Sequence, residues 1–264
     1  MSSGRSAPRS ETDRMPRPFA EHYDTIYADK DYATDVAVVL KATGLSKGKG
    51  ARLLELGAGT GNHSRLLARE VDALVSVEID ADFAEVAEKK LAALDLRNIA
   101  FETRPLAEIP HQGFDGACAL FHVLNYIPAA EMDDLARDLA RRLKPGGIFV
   151  ADIWNAEAVR NDPPKHEVRR KQVGEITVNQ RIDPKVDALQ NQVTLRYEIE
   201  ISGEGRAVKL DEILKLEMWS QPELTRRFTE AGFCNIKYHD YVRYPAATRP
   251  DSWRLWMTAE RTSH

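Results

Sequence analysis

The stretch LLELGAGTGNHSRLLARE, Leu53 to Glu70, decides the fold. An apolar run enters three closely spaced glycines, and a helical pattern leaves them. A strand, a glycine turn and a helix in that order aim backbone N–H groups at a ligand. The dinucleotide fingerprint is G-x-G-x-x-G, whose third glycine lets helix and strand pack closely. Here Gly57, Gly59 and Gly61 read G-x-G-x-G, and Asn62 holds the place of that third glycine. Glu55 stands ahead of the first glycine, at the end of the strand. A carboxylate there repels a pyrophosphate but favours a cofactor with a cationic ammonium group and no phosphate. Glu78 closes the next apolar run, about 20 residues on, where a carboxylate suits ribose hydroxyls.

Outward from this loop, strands and helices alternate between Ala51 and Asp152. ARLLEL, ALVSVEI, NIAFE, FDGACALF and IFVADIW read as strands; ADFAEVAEKKLAALDL and AAEMDDLARDLARRL read as helices. Short connections make this a parallel sheet covered on both faces, with ligands beyond the carboxyl ends of its strands. From about His166 to Trp219 the pattern changes to long alternating runs, EITVNQRI, QVTLRYEIEI and VKLDEILKLEMW, separated by turn signals. They predict a three-stranded antiparallel insertion. A last helix, QPELTRRFTEAG, and two strands close the chain. The expected organisation is a tail over 1–18, a cofactor-binding domain over 19–165 and 220–264, and an inserted subdomain over 166–219.

The composition narrows the class. A 264-residue chain with 43% hydrophobic and 30% charged residues suits one well-buried soluble domain, or one domain carrying a sizeable insertion. A net charge of -4 gives no broad basic surface, so neither nucleic acid nor membrane is an expected partner. Cys118 and Cys234 sit alone in apolar runs, which suits reduced core residues in a cytoplasmic protein and no metal site.

Glu55-Leu56-Gly57-Ala58-Gly59-Thr60-Gly61, with Glu78 closing the next strand, resembles the first two motifs of class I S-adenosylmethionine-dependent methyltransferases. FDGACALFHVLNYI and LARRLKPGGIFV resemble that family's fourth strand and the turn into its fifth. The resemblance implies a Rossmann-like, doubly wound α/β fold with a seven-stranded sheet and an antiparallel β insertion after strand five. It implies S-adenosyl-L-methionine as cofactor, leaving as S-adenosyl-L-homocysteine. Glu55, Gly57, Ala58, Gly59, Gly61, Glu78, Ile79, Leu106, Phe121 and Tyr27 are the cofactor residues it assigns. The family often places an Asp after the third strand for the adenine amino group. Here Arg104-Pro105 occupies that region, leaving backbone near Leu106, or the less well-placed Glu102.

The acceptor side is carried by YDTIYADKDYATDV, Tyr23 to Val36, which resembles the entry segment of nucleotide-sugar N-methyltransferases. Those enzymes methylate the amino group of dTDP-linked amino deoxysugars, and the resemblance makes this segment a lid. An amine must be neutral to attack, so a proton acceptor is expected near the end of strand four. His122, Tyr126 and Tyr23 are the catalytic candidates. Tyr32, Asn125, Trp154 and Asn155 are expected to border the acceptor, and Arg169 and Arg170, with Lys171, to meet a pyrophosphate. The insertion is expected to form part of the acceptor pocket or a homodimer contact. The alternatives are another small amine or hydroxyl acceptor, an NAD-binding oxidoreductase disfavoured by Glu55 and Asn62, and a non-catalytic module with a relic loop.

Overall fold

The computed structural model describes residues 17–203 and 205–263. Its main sheet has seven strands. They are β1 (Arg52–Leu56), β2 (Ala73–Val77), β3 (Ile99–Glu102), β4 (Phe114–Ala119), β5 (Leu143–Trp154), β10 (Phe233–Asp240) and β11 (Arg254–Arg261). Their order is β10-β11-β5-β4-β1-β2-β3, parallel except for β11, which runs against both β5 and β10. The chain builds outward from β1 to β3, then crosses back to β4 on the other side of β1. That reversal opens a crevice at the carboxyl ends of β1 and β4, where such sheets take their ligands.

The strands are apolar because helices cover both faces. Leu54, Leu56, Val75, Ala117 and Phe149 pack with α5 (Met132–Arg142) and α7 (Gln221–Glu230) through Leu139, Leu224 and Phe228. Leu53, Leu74, Cys118 and Val150 face the other way, against α2 (Tyr32–Thr43) and α3 (Ser64–Glu70). Capping fixes the helix starts: Asp31 accepts from Thr34 N ahead of α2, and Asp80 from Asp82 N ahead of α4 (Ala81–Ala92). None of the helices described is long and apolar enough to cross a membrane.

After α6 (Ala156–Asn161) comes a second, antiparallel sheet of four strands, not three. These are β6 (Glu167–Val173), β7 (Ile176–Asp187), β8 (Gln192–Gly203) and β9 (Arg206–Glu217). The strand the sequence hid is β6. It is an edge strand with no fully buried residue, so it lacks alternation and reads as a run of charge. The expected tail also ends early. Arg17 and Pro18 open α1 (Arg17–Ile26), while 1–16 lie outside the described residues. Phe19, Ala20 and Ile26 of α1 are buried in one cluster with Phe83 of α4 and with Val178, Ile199, Ile201 and Leu210 of the second sheet.

Candidate active site

The glycine loop leaves β1 at the crevice, and its glycines do different work. Gly57 has φ +64°, and a Cβ there would overlap Val123, lying 3.0 Å from its Cγ1 and 3.3 Å from its Cβ. Gly61 abuts Ala87 and Leu91 of α4, each 3.4 Å from where a Cβ would stand. Gly59 is the open position, with only Phe83 at 3.9 Å. So two glycines let elements close on each other, and the third leaves backbone accessible.

The two acids are equally distinct. Glu55 is 1% exposed, and its Oε2 accepts from the hydroxyls of Ser64 and Ser76, both at 2.6 Å. Burial raises its pKa in spite of those two donors. Expected at the ligand's amino end, Glu55 instead braces the start of α3 against β2 from beneath the loop. Glu78 ends at the surface of the loop, where Oε2 accepts from Gly59 N at 2.7 Å and Oε1 from Asp80 N at 2.9 Å. Each oxygen keeps a further lone pair for a ligand hydroxyl.

Helix α1 lies over this loop. Asp24 accepts from Thr60 Oγ1 at 2.6 Å and Asn62 Nδ2 at 2.7 Å and pairs with Lys90, tying the lid to the glycine turn. Tyr23 packs edge-on against Phe83, and Tyr27 edge-on against Phe121, with ring centroids 5.1 and 5.2 Å apart. Tyr32, expected beside the acceptor, packs on His63 next to the loop instead. There the buried Asp35 gathers Lys30 at 2.5 Å, His63 Nε2 at 3.0 Å and Tyr241 Oη at 2.6 Å.

Beyond β4 the backbone turns a sharp corner. Phe121 and His122 both have positive φ, 66° and 62°, a strained geometry for side chains of this size. Asp152, fully buried on β5, holds it by accepting from Phe121 N at 2.6 Å and His122 N at 3.2 Å. The same carboxylate pairs with Arg254 at 2.9 Å and lies 2.8 Å from His122 Nδ1, out of line for a hydrogen bond. Burial alone would raise Asp152, but His122 and Arg254 outweigh it and hold the carboxyl well below its usual range. Burial, then the Arg254 charge, lowers the pKa of His122, so its imidazole is neutral at pH 7. Burial drives Tyr126 far the other way, and its hydroxyl stays protonated.

Two residues expected around the acceptor are structural ties. Asn125 donates to Glu217 O at 2.6 Å and accepts from Trp154 N at 3.1 Å. Asn155 caps α6 and donates to Ser252 O at 3.0 Å. Trp154 packs edge-on against His122, its buried Nε1 without a partner. A cavity of about 430 Å³ opens between α1 and the second sheet, lined by Tyr27, Arg169, Arg170, Lys171, Gln180 and Tyr197 among others. Arg169 enters it already paired with Glu167, and Lys171 with Asp29. Among the described residues no group of three His, Cys, Asp or Glu is placed to hold a metal ion.

The crevice fits a phosphate-free, cationic cofactor. Glu78 closes it, Tyr23, Tyr27 and Phe121 pack ring to ring between α1 and the corner after β4, and the nearby cations Lys30 and Lys90 are tied to Asp35 and Asp24. Ile79, 43% exposed beside Glu78, offers an apolar face to a base. Glu102 is engaged with His111 and Arg104, both at 2.9 Å. Leu106 is core, its carbonyl held by Arg142. Sequence reasoning passed over Asp24, Asp152 and Arg254, because their partners are distant in the chain. Asp24 alone left a trace, in the Tyr-Asp of the entry segment.

The strand order, the antiparallel β11 and the glycine loop define the methyltransferase fold, and residues 53–147 match the family described as "Methyltransferase domain". A crystal structure of an S-adenosylmethionine-dependent methyltransferase from Clostridium acetobutylicum superposes with TM-score 0.76 at 17% identity, covering 93% of this chain and 98% of that one. The sugar N-methyltransferase KedS8 from Streptoalloteichus superposes with TM-score 0.75 at 17% identity, covering 99% of each. Among curated relatives, a protein-L-isoaspartate O-methyltransferase from Rhodopseudomonas palustris is 36% identical over 107 residues, 40% of this chain and 46% of its own. A dTDP-3-amino-3,6-dideoxy-alpha-D-glucopyranose N,N-dimethyltransferase from Streptomyces fradiae is 26% identical over 143 residues, 51% and 52% of the two chains. The chain spans about half the length of these curated relatives.

Proposed function

We propose that this protein transfers the methyl group of S-adenosylmethionine to a small amine, the amino group of a nucleotide-linked amino sugar. The observation that carries the reading is the pairing of two compartments across α1. On one side lies an acid-closed glycine loop, and on the other a cavity under the second sheet with basic residues on its rim. The similarity of fold to a sugar N-methyltransferase and the partial match to a dTDP-amino sugar dimethyltransferase support the acceptor. Two unpaired cysteines, Cys118 buried, support a cytoplasmic setting.

S-adenosylmethionine supplies a methyl group on a positively charged sulfur, open to in-line displacement. The protein's part is positioning and exclusion of water. Glu78 and the backbone of Gly59 hold the ribose end. Tyr23 and Tyr27 close over the crevice as an apolar, electron-rich wall suited to a cation, whereas the Phe121 ring already carries Lys30, its Nζ 4.6 Å from the ring centre. His122 is neutral and accepts the proton that the acceptor's ammonium loses before its amine attacks, while Asp152, paired with Arg254, holds the backbone of the corner. Tyr126 remains a hydrogen-bond donor toward the acceptor.

Calorimetric titration with S-adenosylmethionine and with NAD, followed by mass spectrometry of turnover on dTDP-amino deoxysugars and their hydroxyl counterparts, tests both levels. Binding of S-adenosylmethionine alone and methylation of an amino sugar are expected. NAD binding without S-adenosylmethionine binding overturns the cofactor. Cofactor binding with no turnover of any amino sugar overturns the acceptor.

A further inference from the structure

The inner face of the second sheet carries a charge that no protein group answers. Glu212 on β9 is 6% exposed, yet it forms no hydrogen bond or ion pair with any described residue. Its flanking neighbours on that face, Leu210 and Leu214, are buried and apolar. They belong to different clusters: Leu210 packs with the lid residues Phe19 and Ile26, Leu214 with Trp154 and Trp253. Glu212 therefore stands at the seam between the lid side and the corner side of the pocket. Tyr197, directly opposite it across the β8–β9 ladder, touches both clusters.

That rung continues into the cavity. Tyr197 faces Ile182 across β7, and both line the space that Arg169 and Arg170 enter from β6. Tyr27 of the lid lines the same space and packs on Phe121 next to His122. The rung runs from Glu167 on β6, itself paired with Arg169, through Ile182 and Tyr197 to Glu212 on β9. Arg169, Arg170 and Lys171 line the cavity from neighbouring positions of β6. The Glu212 oxygens have no partner among the described residues yet are not sealed off as a wholly buried group's would be, and holding a carboxylate on this largely apolar face still costs stability. Such a group makes sense where a positive partner arrives from outside.

We propose that Glu212 is a specificity-determining residue that receives a cationic nitrogen of the acceptor, reached past Tyr197 from the cavity that β6 lines. The assignment rests on reading the cavity as the acceptor site. Burial and the neighbouring Asp211 push the carboxyl to about 7, so a positive partner has a large effect on its charge. An acceptor with one anionic and one cationic end matches a cavity with Arg169, Arg170 and Lys171 on one side and a carboxylate behind Tyr197 on the other.

The test is calorimetry on the full chain with S-adenosylhomocysteine bound, using matched pairs: cyclohexylamine against cyclohexanol, and a dTDP-amino deoxysugar against its hydroxyl counterpart. In the wild type the amine should be preferred by about tenfold in at least one pair. Glu212→Gln and Glu212→Leu should reduce that to about threefold or less, with S-adenosylhomocysteine affinity unchanged. Glu212→Leu should also melt no lower than the wild type. If both sugar nucleotides fail to bind while cyclohexylamine is still discriminated, the sugar reading fails and the assignment of Glu212 stands. An amine preference that survives in Glu212→Leu, no preference in any wild-type pair, or a Leu variant with lowered melting and cofactor affinity overturns it.

Discussion

Gly57→Ala tests how the glycine loop and the corner after β4 are joined. The new methyl group would overlap Val123, the residue after His122, and the backbone would be held at φ +64°. Left-handed backbone costs a non-glycine residue roughly 1–2 kcal/mol. Overpacking a close contact adds roughly 1–3 kcal/mol. Val123 has no easy escape, because its Cβ lies 3.3 Å from the added atom and its side chain is stiff at χ1. The 3₁₀ turn Val123–Tyr126 must therefore shift, and His122 with it. Gly57→Ala should lose about 2–5 kcal/mol in urea denaturation and lower kcat as well as cofactor affinity. The double variant Gly57→Ala/Val123→Ala removes the overlap but not the backbone strain. It should show a favourable coupling of about 1–3 kcal/mol in the mutant cycle. Additive losses would refute the contact, and an unchanged Gly57→Ala protein would refute both terms.

Glu78→Ala removes the acceptor for two loop N–H groups and for a ligand, so cofactor affinity should fall by roughly 1–3 kcal/mol. Equal affinity in calorimetry would place Glu78 outside the site. Because burial keeps His122 neutral, the acid limb of kcat against pH should fall below 6.5, the ordinary histidine value. A limb above 7 would remove His122 as proton acceptor. Glu212 is raised to about 7 in the folded state from an ordinary 4.5, so folding takes up a proton between those values. Its contribution is lost as pH rises through that window. The melting advantage of Glu212→Leu should accordingly grow from pH 5 to pH 8, and a constant difference would show the carboxyl to be unperturbed.

What could be read from the sequence is what one element carries by itself. LLEL followed by spaced glycines marks a buried strand and its turn, because strand burial and left-handed backbone are local demands. The alternation over Ile176 to Glu217 marks a half-buried sheet for the same reason. Strand β6 escaped because its residues lie on an exposed edge, where burial leaves no pattern. Glu55 and Asn125 were misplaced for another reason. A carboxylate or amide looks alike in sequence whether it faces a ligand or a neighbouring serine. Only the fold brings Ser64 and Ser76 to Glu55, and Glu217 to Asn125. Asp152 and Arg254, about 100 residues apart, have no signature as a pair until β11 aligns beside β5.

The lid shows what the second sheet contributes beyond a pocket wall. A helix lying only on the glycine loop would be held by Asp24 and by aromatic edges, contacts that one solvent-exposed turn could release. Instead Phe19 and Ile26 are buried against Phe83 on one side and Val178, Ile199 and Ile201 on the other. Each such side chain stabilises the closed arrangement by roughly 1.5–3 kcal/mol when removed from water. Helix α1 is therefore shared core between the two sheets rather than a flap over one. Tyr23 and Tyr27 owe their positions to that core, and Tyr27 lines one cavity with Tyr197 on the inner face of the second sheet. Any change that loosens the second sheet must loosen the wall of the cofactor crevice too. The glycine-loop crevice and the cavity under the second sheet are consequently coupled by apolar packing.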